Sequence, residues 1–283
     1  MEIFRTTKSL QNKILSIKKE GKTIGFVPTM GALHEGHISL IDRSVKENDF
    51  TVASLFVNPT QFNNPDDLKK YPRTFDEDKQ KLESAKCDIL FFPTSEEMYP
   101  ANEKAEQFDF GLIATVMEGQ FRPGHFDGVA QIVSKLFRIV TPTRAYFGQK
   151  DFQQLAIVNN LNSNYLQDLN IEIVGCKIIR EKDGLAMSSR NLRLNKDQRE
   201  NASLISKTLF EAQKLQKKMN LKKLKNWVST KINENKYLKL EYFDIVDNKN
   251  LNSIKNWTEE GKKTACIAVY CGEIRLIDNV SFD

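Results

Sequence analysis

Three histidines occur in the 283 residues. Two of them, His34 and His37, stand three positions apart in MGALHEGH, residues 30–37. The stretch follows an apolar run, TIGFVPT, and reads as the junction of the first strand with the first helix. Backbone N–H groups at a helix start attract anions, and the dipole adds ~0.3–1 kcal/mol for an exposed charge. Gly31 and Gly36 let backbone approach a ligand closely. At i and i+3 the two imidazoles share one side of the first turn, where both can donate to phosphate oxygens. The competing account is a pair of histidines that only caps the helix. Zinc is not indicated, because no cysteine or third ligand lies nearby.

Ligands of an open parallel sheet sit beyond the carboxyl ends of its strands, so polar residues just after apolar runs are site candidates. FVNPTQF supplies Asn58 and Gln61, neutral amides suited to hydroxyl, amide or carboxylate groups; Asn-Pro is also an ordinary turn former. EGQFRPGHF places Glu118, Arg122 and His125 before a long helix, as a cluster that binds or one that only organises a loop. FGQKDFQQ repeats the pattern of strand, glycine, charged pair and helix start. Here Lys150 can meet phosphate, Asp151 can cap the helix or bind a hydroxyl, and Gln154 lies near the first turn. DGLAMSSRN offers two hydroxyls, Ser188 and Ser189, beside Arg190, a bidentate phosphate binder. The sequence holds no GxxxxGK[ST], GxGxxG or GxSxG motif, which removes the main support for P-loop, dinucleotide-dehydrogenase and serine-hydrolase readings.

The elements that must position these loops alternate in type. Strands are expected over Lys22–Val27, Thr51–Val57, Asp88–Phe92, Arg144–Phe147 and Ile171–Ile179. Helices are expected over Ile38–Lys46, through GVAQIVSKLFRIV, and from Phe152. This alternation predicts an α/β fold with a parallel sheet covered by helices on both faces. After residue 180 the pattern changes to two helical segments, 196–218 and 221–235, and three strand-like runs, LEYFDIVD, TACIAVYC and EIRLIDNV, the last two joined at Gly272. The expected division is a domain over 1–175 and a smaller C-terminal α+β domain over 176–283.

The composition, 40% apolar with 28% charged residues, suits a folded core. No apolar run reaches the ~20 residues of a membrane span, and MEIFRTTKSLQNK lacks a secretory pattern. Four scattered cysteines read as free thiols of a reducing compartment. A cytoplasmic protein without membrane partners is expected. The net charge of +5 is concentrated in KLQKKMNLKKLKNW, residues 214–227. That segment would serve nucleic acid only if its aromatic residues or arginines could stack on bases, and none are interleaved for it. Leu221, Leu224, Val228 and Ile232 instead commit one helical face to a core, leaving the lysines as its solvated face and nucleic acid an unexpected partner.

Taken in order, PTMGALHEGH, FVNPTQF, YPRT, RPGHF, GQKDFQQL and DGLAMSSRN closely resemble the pantothenate synthetase (pantoate–β-alanine ligase) family. HEGH resembles the HxGH signature of the wider nucleotidylyltransferase group, and MSSR its mobile KMSKS-type loop. HEGH alone is also compatible with another HxGH nucleotidylyltransferase, although a phosphorylated acceptor would call for further cations where this chain has Gln61 and Gln154. The motifs run from residue 28 to 191 without a departure, RLIDN near the C-terminus is similar as well, and over 195–260 only general character matches.

The resemblance implies a Rossmann-like sheet domain partly covered by the C-terminal domain, a homodimer, and a ligase of pantothenate and coenzyme A biosynthesis. It implies ATP-dependent condensation of (R)-pantoate with β-alanine through a pantoyl adenylate, with Mg²⁺ accompanying ATP on protein ligands that the sequence does not name. It places Met30, Gly31, Ala32, Leu33, His34, Glu35, Gly36 and His37 around ATP, with His37 as proton donor. Gly148, Gln149, Lys150, Asp151, Ile179, Met187, Ser188, Ser189 and Arg190 complete the ATP set. Within it Lys150 and Arg190 neutralise the triphosphate. Gln61 and Gln154 hold pantoate, and Gln61 also meets β-alanine. The reaction needs no enzyme nucleophile.

Overall fold

The computed structural model describes residues 1–101 and 104–282. The chain forms two compact units. One comprises Met1–Phe110, Arg122–Gln149 and Gln154–Lys177; the other comprises Gly111–Phe121, Lys150–Gln153 and the chain from Ile178 onward.

The first unit is built on a six-stranded sheet whose pairings are all parallel. Its strands are β1 (Glu2–Phe4), β2 (Ile24–Thr29), β3 (Phe50–Leu55), β4 (Ile89–Phe91), β5 (Arg144–Gly148) and β6 (Glu172–Cys176), in the spatial order β1-β4-β3-β2-β5-β6. Between them run α1 (Thr7–Lys19), α2 (Glu35–Glu47), α3 (Pro65–Lys70), α4 (Phe75–Ser84), α5 (Ser95–Met98), α6 (Glu118–Phe121, in the second unit), α7 (His125–Val140) and α8 (Phe152–Tyr165). The central strands are buried almost without alternation, as strands covered on both faces must be. Successive residues of β2 show the two layers. Val27 joins a core with Leu40 and Ile41 of α2, while Phe26 meets Phe137 of α7 edge to face at 6.4 Å. Gly25 is required by close approach, since a Cβ there would stand 2.1 Å from Ser44 Oγ of α2.

The second unit holds a three-stranded antiparallel sheet, β7 (Leu238–Asp247), β8 (Lys263–Cys271) and β9 (Ile274–Phe282), in sequential order. Besides α6 it carries α9 (Lys196–Ala202), α10 (Leu204–Leu215) and α11 (Leu221–Asn233). Gly272, with φ of +60°, makes the β8–β9 turn. Leu221, Leu224, Val228 and Ile232 of the lysine-rich segment are buried in one core with Ile205, Leu209, Ile267 and Val280. Lys225 of the same helix reaches Asp244 at 2.6 Å.

Three sequence expectations are corrected. MGALHEGH follows the second strand and opens the second helix, because Glu2–Phe4 and Thr7–Lys19 form elements first. The segment 196–218 is two helices divided at Ser203, whose carbonyl accepts from Ser206 Oγ, and the second ends at Leu215. The strand expected over Ile171–Ile179 stops at Cys176. All four cysteines are buried and free. Among the described residues no helix is long and apolar enough to cross a membrane.

Candidate active site

In the first unit the strand order reverses at β2, which has β3 on one side and β5 on the other. Chain leaves the carboxyl ends of neighbouring strands in opposite directions there, and the crevice so made is where doubly wound sheets bind ligands. MGALHEGH extends from the end of β2. Gly148 and Gln149 extend from the end of β5, with Gln149 N donating to Cys176 O at 2.8 Å.

His34 is the N-cap of α2. Its Nδ1 accepts from Gly36 N at 3.1 Å, and Nδ1 of His37 accepts from His34 N at 3.4 Å, with ring centroids 4.1 Å apart. Capping is therefore real. It also has a chemical consequence: a nitrogen that accepts carries no proton, so each neutral ring keeps its proton on Nε2. The cap sets two imidazoles in the tautomer that makes each Nε2 a donor.

The turn before the cap depends on a residue that the sequence did not single out. Asp78 of α4 is buried, and its two carboxylate oxygens accept from Ala32 N at 2.8 Å and Leu33 N at 2.7 Å. Gly31 and Ala32 both have positive φ, +81° and +50°. Glycine adopts this readily, whereas alanine must be held there. Lys81, one turn further along α4, donates to Leu33 O at 2.7 Å. In sequence Asp78 looks like an ordinary acid of a helix's first turn, so only its burial reveals the role.

Gln61, in the short turn Pro59–Gln61 after β3, is held on all sides. Its Oε1 accepts from Asn58 Nδ2 at 3.1 Å, and its Nε2 lies 2.9 Å from Met30 Sδ. Its carbonyl accepts from His125 Nδ1 at 2.8 Å and from Arg122 at 3.3 Å. Asn58, 1% exposed, also donates to Gly128 O and accepts from Tyr99 Oη. Gly128 lets α7 come this close, since a Cβ there would stand 2.4 Å from Thr60 O. Arg122, His125 and Asn58 thus organise the Gln61 loop. Gln154 lies half-buried in the first turn of α8.

In the second unit, Glu118 receives Arg275 through both oxygens, at 2.7 and 2.8 Å, and Tyr242 Oη at 2.8 Å. Burial, with the Glu118 charge beside it, pushes the Tyr242 phenol well up. Glu118 N donates to Gln153 Oε1, and Asn279 Nδ2 donates to Lys150 O at 3.0 Å, so the Lys150–Gln153 loop is tied at both ends. Lys150 Nζ stands 3.6 Å from Asp151. The residues from Ile179 to Met187 fold back as a hairpin, with Met187 N on Ile179 O and Arg180 bridged to Ala186. At its base Arg180 makes a bidentate pair with Asp278, at 2.6 and 2.9 Å. Ser188 Oγ then accepts from Arg190 N at 3.3 Å, buried Ser189 follows, and half-buried Arg190 enters the turn Ser189–Arg193. Asp278 and Asn279, from the RLIDN run, therefore fasten both the hairpin and the Lys150 backbone. Burial pushes the Asp278 carboxyl up, against the pull of Arg180.

No cysteine suits nucleophilic work. Burial pushes the Cys87 thiol up to about 12 and raises those of Cys176, Cys266 and Cys271.

These features define the first unit as an open parallel α/β fold whose helix-capping histidines stand at the sheet's switch point, where such sheets bind ligands. The sequence profile of the pantoate–β-alanine ligase family matches residues 2–281. Pantothenate synthetase of Porphyromonas gingivalis is 50% identical over 283 residues, covering all of both chains. The crystal structure of pantothenate synthetase from Thermus thermophilus superposes with a TM-score of 0.91 at 36% identity, covering 99% of each chain. That of Francisella tularensis pantoate–β-alanine ligase, complexed with beta-gamma ATP and β-alanine, gives 0.83 at 36% identity over 99% of this chain and 97% of that one. The chain belongs to the pantoate–β-alanine ligase family.

Proposed function

We propose that the chain condenses (R)-pantoate with β-alanine at the expense of ATP, giving pantothenate for coenzyme A biosynthesis, AMP and pyrophosphate. The pantoate carboxylate attacks the α-phosphorus and expels pyrophosphate. The β-alanine amine then attacks the carbonyl of pantoyl adenylate, loses its proton and expels AMP. Catalysis rests on alignment and on donors placed for developing charge, as transfers without an enzyme nucleophile require.

The observation that carries this reading is the setting of Gln61. A neutral amide, its oxygen accepting from Asn58 and its nitrogen resting on Met30, adjoins the turn that ends in His34 and His37. It can meet hydroxyl and carboxylate groups without the cations that a phosphorylated acceptor needs.

Met30 to His37 would contact ATP, with His34 and His37 offering Nε2–H to phosphate oxygens and His37 serving as proton donor. Gly148, Gln149, Ile179, Met187, Ser188 and Ser189 would also contact the nucleotide. Lys150 and Arg190 would offset triphosphate charge, with Asp151 beside Lys150. Gln61 and Gln154 would hold pantoate, and Gln61 would meet β-alanine too. Mg²⁺ would travel with ATP. Such an ion takes most of its shell from phosphate oxygens and water, and among the described residues no group of three His, Cys, Asp or Glu is placed to cage one. Family resemblance supports a cytoplasmic homodimer.

Labelled pyrophosphate should exchange into ATP when pantoate and MgATP are present without β-alanine. Exchange that strictly needs β-alanine would rule out a free-standing adenylate.

A further inference from the structure

The chain has six methionines, and they differ in what surrounds the sulfur. Met98 and Met117 are buried, while Met1 and Met219 pack against the two hydrophobic clusters. Met30 is half-buried just beyond the carboxyl end of β2, where it forms part of the wall of a cavity of about 330 Å³ in the first unit. Its Sδ accepts from Gln61 Nε2 at 2.9 Å. The sulfur therefore touches the amide proposed to hold pantoate.

The rest of Gln61 is firmly held, its carbonyl by His125 and Arg122 and its Oε1 by Asn58 Nδ2. The Nε2 end is left to a weak partner. A thioether accepts poorly, so a ligand oxygen can replace it at little cost. A sulfoxide is polar and presents an oxygen that accepts strongly. No oxygen fits between sulfur and nitrogen at 2.9 Å, so oxidation must either turn the Met30 side chain or swing the amide away from Asn58. The first trades a displaceable contact for a strong one, and the second breaks the bond that orients the amide. Thiols compete little for an oxidant. All four cysteines are buried, and burial raises each thiol, which keeps the reactive thiolate scarce.

We propose that Met30 is a modification site, at which a hydroperoxide entering the cavity converts the thioether to a sulfoxide and so withdraws Gln61 from pantoate. The terminal peroxide oxygen is transferred to sulfur, which loses two electrons. The O–O bond breaks, and the other oxygen takes up the proton and leaves as water, or as an alcohol from an organic peroxide. The inference rests on the proposed role of Gln61, and pyrophosphate exchange by the untreated enzyme tests the reaction separately.

Brief treatment of the ligand-free enzyme with hydrogen peroxide should add one oxygen to the Met30 peptide, read by mass spectrometry, ahead of the other methionines. The pantoate KM in exchange should then rise roughly 5- to 50-fold, the range for losing one neutral hydrogen bond and stranding its partner. Sulfoxide reductases acting on both epimers should restore the starting KM. Met30→Leu given the same dose should keep most of its own starting rate. Met30 left unmodified under that dose would overturn the proposal, as would inactivation that tracks Met187 or runs equally fast in Met30→Leu. So would a Met30 sulfoxide that leaves the pantoate KM unmoved, or a loss that persists once the sulfoxide is reduced. Absence of exchange in the untreated parent would instead overturn the reaction itself.

Discussion

Residues 30–37 hang from main-chain bonds to one buried carboxylate, Asp78, whereas residues 179–190 hang from side-chain ion pairs. The first arrangement fixes φ and ψ directly and leaves little for the histidine rings to choose. The second fixes the hairpin's base, through Arg180 and Asp278, and its tip, through Asp183 and Arg199, and Ser188 to Arg190 follow the hairpin in the chain. A loop meant to hold preset donors needs the first kind of support. One whose cation must reach a ligand can use the second.

The largest effect is expected at the hairpin's base. Asp278 is 2% exposed, and removing one partner of a buried pair strands the other, at ~3–5 kcal/mol. Asp278→Ala should lower the melting temperature on the order of 10 °C. Replacing both partners, as in Arg180→Met/Asp278→Leu, should recover much of that loss because no charge is left stranded. Melting of Asp278→Ala within a degree of the parent would show that the hairpin is anchored elsewhere.

The capped histidines come next. His34→Ala removes both a cap and the proposed donor, so it should reduce stability by ~0.5–2 kcal/mol and slow adenylation about 100- to 1000-fold. His34→Asn separates the two roles, because asparagine is a strong N-cap without a distal ring donor. Its melting temperature should return toward the parent while exchange stays slow. Recovery of both together would reduce His34 to a cap. Pantoyl adenylate supplied directly has no β- or γ-phosphate, so its reaction with β-alanine should suffer much less in either variant.

The comparison also shows what the sequence could reveal. Strand–helix alternation and the core face of α11 were legible because apolar periodicity is a local signal. The loops proposed to hold ligands carried a sequence signal because glycine, histidine and amide side chains cluster after strands. Asp78 and Arg180 were not legible, since each looks like an ordinary surface charge until tertiary contacts engage it, and Asp278, although inside the RLIDN run, gave no sign of its pairing with Arg180. The two accounts of His34 and His37, cap or ligand donor, looked exclusive in sequence. The geometry shows the cap and makes it compatible with the proposed donor role, since each Nδ1 accepts a backbone bond and the proton of a neutral ring then sits on Nε2. The cluster Glu118, Arg122 and His125 likewise resolved only in three dimensions, with the last two on Gln61 O and Glu118 on Arg275.

The smallest effect belongs to the hairpin's tip. Asp183 meets Arg199 at 2.5 Å, with both side chains about a third exposed, 34% each. The hydrogen bond from Arg199, aided by Leu185 N, holds the Asp183 carboxyl below its ordinary value. A carboxyl depressed on folding contributes stability that is fully present above the unfolded pKa, ~3.9, and that fades as pH falls through the lower folded value. Solvent screening limits this pair to ~0.2–1 kcal/mol. Asp183→Asn should therefore melt one to a few degrees below the parent at pH 7, on the order expected for a chain of this size. The gap should narrow below about pH 4 as the parent's carboxyl takes up its proton, and added salt should shrink it at neutral pH. Asp278 tests the contrast, because burial raises its carboxyl and the sign reverses: its ionisation opposes folding as pH climbs from the unfolded value toward the raised one. A stability gap for Asp183→Asn that is the same at pH 3 and pH 7 would mean that the hairpin's tip is held by packing and not by charge.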